Sequence, residues 1–126
     1  MAFSNYLSNE ILDHVFSGNA FTAPSNYYVA LYTVAPTASG GGTEVTGGGY
    51  VRRSATFTTS ATQSTNQSAI EFPTASAAYG TVVAASVMDA TSGGNLLAFA
   101  NLTAAKTIGI GDVLRIPAND LDINLA

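Results

Sequence analysis

The hydrophobic pattern of the sequence changes its period at Gly18, and this change limits the fold more than any other feature. Before Gly18, apolar residues recur every three or four positions, which predicts an amphipathic helix over residues 3–16. Ser4 is suited to the N-cap of this helix. The apolar stripe consists of Phe3, Leu7, Ile11 and Val15, widened by Leu12 and Phe16. A helix of about four turns does not bury such a stripe by itself, so we expect the stripe to be buried in this domain or against a neighbouring chain.

Beyond Gly18 the sequence is organised in short β-type segments separated by turn-forming residues. Aromatic and β-branched residues or apolar alternation predict strands there, over residues 27–34, 50–58, 69–72, 81–89, 96–102, 106–110, 113–116 and 121–125. Segment 81–89 is apolar on both faces, which is typical of a central strand that is covered on both sides. Segment 58–68 is rich in Thr, Ser, Gln and Asn, and we interpret it as an exposed loop or edge.

The number and spacing of these strands predict a mainly β fold. We expect an antiparallel β-sandwich of the jelly-roll type with one short N-terminal α-helix. The sequence contains no internal repeat and no composition change that marks a second domain. Residues 1–126 are therefore expected to form a single domain, with the β-sandwich over residues 26–125.

Charge is sparse, and this disfavours several classes of partner. Charged residues make up 10% of the chain, against about 25% in ordinary soluble domains. The net charge is −4 with four basic residues, so we expect no binding to nucleic acid, which draws on several Lys or Arg contacts. No apolar run approaches the ~20 residues of a membrane span, so no membrane partner is expected. The N-terminus lacks the features of a secretory signal, which favours synthesis and use in the cytoplasm.

The residues that could carry chemistry are few and scattered. His14 is the single histidine, there is no cysteine, and no GxSxG motif surrounds a serine. Asp120 and Asp122 could hold calcium or perform acid–base work, although the solvated face of an edge strand is favoured. Asp89 and Asn95 could bind an ion, but the same residue types are needed for a tight turn. The sequence therefore predicts no enzyme, no cofactor and no metal site.

A glycine-rich loop over residues 36–49 leads into the pair Arg52-Arg53. Neither of its glycine triplets is followed by Gly-Lys-Ser/Thr, so it is not a phosphate-binding loop. We expect the loop and the arginine pair to contact an adjacent subunit, with Glu44 or Glu71 as salt-bridge partners; a mobile loop and an exposed edge are the alternatives. The candidate interface residues are Phe3, Leu7, Ile11, Gly47, Gly48, Tyr50, Arg52 and Arg53.

Six tyrosines could form a carbohydrate or partner surface, because tyrosine favours interfaces. They are Tyr6, Tyr27, Tyr28, Tyr32, Tyr50 and Tyr79. Packing of these rings within the sheets, with the hydroxyl groups at the rim, is the favoured alternative.

Three stretches carry a resemblance to a known family. They are the opening SNYLSNEILDHVFSGNAFTAPSNYYVALYTVAPT, the middle EVTGGGYVRRSATF with IEFPTASAAYGTV, and the later MDATSGGNLLAFANLTAAKTIGIGDVLRIPANDLDINL. Over nearly its whole length the chain resembles a family of small phage virion proteins, often labelled phage tail fibre or tail proteins. The resemblance implies a particle component and transfers no catalytic motif.

Composition and resemblance together favour a non-enzymatic structural protein of a tailed bacteriophage virion, assembled in the host cytoplasm. We expect a capsid decoration or cement protein, present in many copies as a homo-oligomer and bound to major capsid or tail subunits. The alternatives are a tail or tail-fibre-associated protein and a receptor- or sugar-binding module of the tail.

Overall fold

The computed structural model, which describes residues 1–125, contains one helix and eleven strands in that part of the chain. In chain order they are β1 (Ala2–Phe3), α1 (Asn5–Phe16), β2 (Tyr27–Val34), β3 (Thr43–Glu44), β4 (Arg53–Ala55), β5 (Phe57–Ser60), β6 (Gln63–Asn66), β7 (Ile70–Glu71), β8 (Gly80–Met88), β9 (Leu96–Ile108), β10 (Arg115–Ile116) and β11 (Asp122–Asn124). All pairs of neighbouring strands are antiparallel. The predicted mainly β, antiparallel fold with a short N-terminal helix is confirmed, whereas jelly-roll connectivity stays a prediction.

The main sheet has six strands in the order β1-β9-β8-β2-β3, with β4 also paired to β2. Strand β8 lies at its centre, and its residues from Ala84 to Met88 are all buried. This confirms the interpretation of segment 81–89 as a strand covered on both sides. Strand β9 is longer than predicted, because residues 102–105 form a bulge opposite Val83 that joins two predicted strands into one.

The larger core lies on one face of the main sheet. Val29, Leu31 and Val82 point to this face and pack against Phe72 and Leu114, which come from the segments that flank the small β7–β10 sheet. A fully buried side chain of this kind contributes about 1.5–3 kcal/mol. This apolar layer holds the small sheet on the main one, and with it the glycine-rich segment before β4.

The third sheet, β11-β6-β5, corrects the prediction for segment 50–68. The predicted strand 50–58 is divided into β4 and β5, and the predicted exposed loop 58–68 contains the β5–β6 hairpin. Thr and Ser have the same backbone donors and acceptors as apolar residues, and Thr is β-branched, so a polar sequence can form a regular ladder. Asn66 at the end of this hairpin is completely buried.

Helix α1 starts at the predicted N-cap, where Ser4 Oγ accepts a hydrogen bond from Leu7 N at 3.1 Å. The stripe is not buried within this domain, and its burial against a neighbouring chain stays a prediction. No residue of the helix is buried: Leu7 and Ile11 are half-buried, Val15 is exposed, and the half-buried Phe3 belongs to β1. The first turns of the helix pack on the main sheet through Leu7, which contacts the cluster of Val87, Leu97 and Ala98, whereas its later apolar residues are exposed.

Candidate interaction surface

The eight predicted interface residues separate into two groups. Phe3, Leu7 and Ile11 belong to β1 and α1, whereas four of the other five lie between β3 and β4 and the fifth, Arg53, begins β4. Leu7 lines an apolar cleft, and three of the five line a different cavity of about 340 Å³. The apolar cleft has no lining residue from the second group, and the 340 Å³ cavity has none from the first. Whether either group contacts another chain stays a prediction.

Arg52 is the centre of a polar network that fixes the second group. Its Nε and Nη2 atoms donate to the two carboxylate oxygens of Glu44, both at 2.9 Å. Its Nη1 atom donates to the carbonyl oxygens of Ala90 and Gly93 at 2.8 and 2.9 Å. The side chain of Arg52 is only 7% exposed. The salt bridge anticipated at a subunit boundary with Glu44 is therefore formed within the chain, where it ties β3 to the turn between β8 and β9.

Tyr50 completes this network. Its hydroxyl group donates to Glu44 Oε2 at 2.7 Å and accepts from Leu31 N at 3.0 Å. Burial alone would raise the pKa of the Glu44 carboxyl group, but the hydrogen bonds from Arg52 and Tyr50 outweigh it and lower this pKa. Burial, together with the Glu44 charge, raises the pKa of Tyr50. The arrangement therefore keeps Glu44 ionised and Tyr50 protonated. These are the protonation states of a stabilising hydrogen-bond network, whereas proton transfer would require one of the two groups to change its state.

Gly48 and Arg53, two further residues of the second group, contact other parts of the same chain. Gly48 adopts a φ of +62°, and a Cβ atom there would meet the carbonyl oxygen of Ala77 at 2.4 Å, so this position requires glycine. Ser76 N donates to the Gly48 carbonyl oxygen at 3.0 Å. Arg53 is exposed, and its Nε donates to the Glu71 carbonyl oxygen at 3.1 Å. This part of the glycine-rich loop is thus anchored on the domain.

An apolar face of α1 lies open to solvent. Leu12 is 57% exposed, Val15 61% and Phe16 80%. These residues are three or four positions apart or adjacent, so they form one continuous patch on the last turns of the helix. We call these three residues the helix patch. A contiguous apolar patch of this kind marks a protein–protein contact more often than an isolated exposed apolar residue does.

An apolar cleft opens beside the first turns of α1. It has a volume of about 220 Å³ and lies between the helix, the main sheet and the β11-β6-β5 sheet. Its lining residues carry no charge: they are Leu7, Tyr27, Phe57, Thr59, Ser64, Val87, Leu97, Ala98 and Ile123. Tyr27 and Phe57 form an edge-to-face pair in its wall, with ring centroids 5.9 Å apart. Sequence patterns do not predict this cleft, because its lining residues come from seven separate elements.

His14 and Asp89, two of the residues considered for catalysis or ion binding, form structural hydrogen bonds. His14 Nδ1 accepts from Phe21 N at 3.2 Å, just after the helix. Asp89 accepts from the backbone and side-chain nitrogens of Asn95 at 2.7 and 2.9 Å, as expected of a turn. Asp120 lies before β11, and Asp122 lies within it. The described part of the chain contains no cluster of three His, Cys, Asp or Glu residues with the proximity that a metal site needs.

Three of the six tyrosines pack within the protein, as the favoured alternative expects, but their hydroxyl groups form hydrogen bonds inside it and not at the rim. Tyr32 and Tyr79 are buried, and the half-buried Tyr50 stacks on Phe72 with a centroid distance of 6.1 Å. Tyr6, on α1, is the one tyrosine among the described residues that counts as exposed.

Comparison with known protein families gives a match over nearly the whole chain. A family model described as podophage GP4 fiber I protein gp80 matches residues 2–124. No curated protein matches the chain. Within residues 1–125, no helix combines the length and the hydropathy that crossing a membrane requires.

Proposed function

The chain belongs to the family of the podophage GP4 fiber I protein gp80, and on this premise we propose that it is a subunit of a phage tail fibre. Membership makes it a structural component of a phage virion. The carrying observation is the extent of the match, which runs from residue 2 to residue 124 and so includes α1 and every strand. The family description supports the tail-fibre alternative of the sequence analysis better than capsid decoration.

We propose a structural role without catalysis. The charged network formed by Glu44, Tyr50 and Arg52 has its groups paired with one another or with the backbone. Such pairing fixes conformation and leaves no group poised to react. The family description supports this role, because it names a fibre component.

We propose further that the chain works as a homo-oligomer in contact with other virion subunits. The helix patch and the apolar cleft support this, since both are uncharged and can be desolvated without leaving an ion unpaired. With four basic residues in the chain, we expect no contact with nucleic acid. We also expect no membrane contact, and assembly in the host cytoplasm.

The experiment is to locate the protein in purified particles. Tails and capsids would be separated after mild disruption, and the protein would be quantified in each fraction by mass spectrometry. Immunogold labelling of intact particles would give its position. We expect the protein in the tail fraction and labelling on the fibres. Recovery with the capsid shell would favour a decoration protein, and absence from both fractions would contradict the virion assignment.

A further inference from the structure

A second surface cavity, distinct from the apolar cleft, opens between the start of α1, residues 38–41 and the end of the β8–β9 turn. Its volume is about 350 Å³, within the range of small-molecule sites. Tyr32, Met88 and Leu96 supply apolar surface to its lining. Tyr32 is held rigidly, because its hydroxyl group accepts from Ser86 Oγ at 3.1 Å inside the sheet.

The side chains around this apolar surface carry amide and hydroxyl groups. Asn5 Nδ2 donates to Ser39 Oγ at 3.2 Å, and Asn95 Nδ2 donates to Asp89 Oδ2 at 2.9 Å. A side-chain amide has two N–H donors and a carbonyl acceptor, so each asparagine has further capacity to donate and accept. The ring of Tyr6, 37% exposed, adds an aromatic surface beside them.

Bare backbone forms another side of the cavity. Gly40 and Gly41 have φ angles of +99° and +78°, which side chains of L-residues rarely adopt. A Cβ atom at either position would meet nothing within 4 Å, so no neighbouring atom covers these peptides on that side. Both backbone polar groups of Gly40 are engaged with Thr37, so this side offers a ligand a surface for close packing.

The charge around the cavity excludes one class of ligand. No Lys or Arg is among its lining residues. Burial raises the pKa of the Tyr6 hydroxyl group, and the nearby negative charges of Glu10 and Asp89 raise it further. Both carboxylates repel an anion at the same site. A phosphate or an acidic sugar thus meets repulsion without a compensating cation.

We propose that this cavity binds a neutral saccharide, with one face of the sugar ring against Tyr6 and its hydroxyl groups on the amides of Asn5 and Asn95. A saccharide ring has an apolar face of C–H groups and a rim of hydroxyl groups, which matches an aromatic surface flanked by amides. The proposal depends on the chemistry of the cavity and is independent of the tail-fibre assignment, so either can fail while the other holds.

The test is a titration of the ¹⁵N-labelled full chain followed by amide chemical shifts. The probes are lactose, cellobiose and chitobiose as neutral disaccharides, and glucuronate as the acidic comparison, each to 50 mM. We expect at least one neutral disaccharide to shift the amides of Gly40, Gly41 and Asn95 in a saturable manner, and glucuronate to shift them at least tenfold more weakly. No saturable shift with any neutral probe, shifts confined to other residues, or equal binding of glucuronate would overturn the proposal.

Variants connect the binding to Tyr6. Tyr6→Ala should weaken binding of the neutral disaccharide at least fivefold, whereas Tyr6→Phe should retain most of it, because the ring is kept. Phe21→Ala is the matched control, since Phe21 is an aromatic residue outside the lining. The melting temperature of each variant shows whether it is folded. A folded Tyr6→Ala protein that binds as tightly as the wild type would overturn the proposed site.

Discussion

Asn66 is the buried polar residue that links two distant parts of the chain. Its side-chain nitrogen donates to the carbonyl oxygens of Ser68 and Pro117 at 2.9 and 3.0 Å. Its side-chain oxygen accepts from the backbone nitrogens of Asp120 and Leu121 at 3.0 and 2.9 Å. Three of these bonds fix β6 against the segment before β11, whereas the bond to Ser68 is local. The sequence does not reveal this role, because Asn66 stands in a polar stretch that is typical of exposed loops.

We predict that Asn66→Ala destabilises the fold by about 2–4 kcal/mol, because two buried donors and two acceptors lose their partner. Asn66→Asp should be at least as harmful, since a carboxylate oxygen would then face two carbonyl oxygens. Urea unfolding followed by circular dichroism measures both effects. Gln67→Ala, at an exposed neighbouring position, is the control and should change stability by less than about 0.5 kcal/mol. A stable Asn66→Ala protein would show that water replaces the amide.

The Glu44–Arg52 pair should make stability depend on acid pH. The pKa of Glu44 is lowered in the folded state, so the ionised carboxylate stabilises the protein above its unfolded pKa, about 4.3. This contribution is lost as the pH falls through the lowered folded pKa. We predict a falling melting temperature below about pH 4.5, with a shallower fall in Glu44→Gln, which should also be less stable at pH 7. Parallel melting curves for the two proteins across this range would contradict the prediction.

Helices and strands with a clear apolar, aromatic or β-branched pattern could be predicted from the sequence, whereas those with polar sequences could not. The strand 27–34 was predicted with its observed bounds, because the run YYVALYTV is aromatic and β-branched throughout. The β5–β6 hairpin was missed, because its Thr, Ser and Gln side chains carry no apolar alternation. The predicted helix begins two residues too early, because Phe3 fits the helical stripe but pairs with Ala98 of β9 instead.

The same argument applies to the interface residues. Helical periodicity identifies which residues of α1 are apolar, but it contains no information about which part of the stripe meets the sheet. Similarly, the sequence indicated Glu44 or Glu71 as salt-bridge partners of the arginine pair at a subunit boundary. That Arg52 pairs with Glu44 of its own chain depends on the path of the intervening glycine-rich loop. Local patterns predict elements, whereas contacts between elements depend on tertiary packing.

The helix patch leads to a prediction that separates assembly from folding. Phe16→Ser should change the free energy of unfolding of the isolated protein by less than about 0.5 kcal/mol, because the ring is 80% exposed. The same variant should reduce the number of copies recovered in purified particles. Ile110→Ser is the matched control, since Ile110 is 76% exposed but lies far along the chain from the helix. Full occupancy of particles by Phe16→Ser would exclude the helix patch from the contact.

The folding stability of the whole protein should not depend on bound metal. The sequence has no cysteine and one histidine, and residues 1–125 bring no three metal-ligating side chains together. We therefore predict that 5 mM EDTA leaves the melting temperature unchanged. A decrease of several degrees that calcium restores would reveal an oxygen-ligand site, for which Asp89 and Asp120 would be the first positions to substitute.

The pairing of β1 with β9 sets the order of events during synthesis. Ala2 pairs with Phe99, and Ser4 N donates to the Leu97 carbonyl oxygen at 2.9 Å. At about 5–20 residues per second, a ribosome needs several seconds to make the chain between these partners. A helix of 12 residues is marginal on its own, so α1 has no fixed place until β9 has emerged. Residues 2–4 thus reach these native contacts only after β9 has been made.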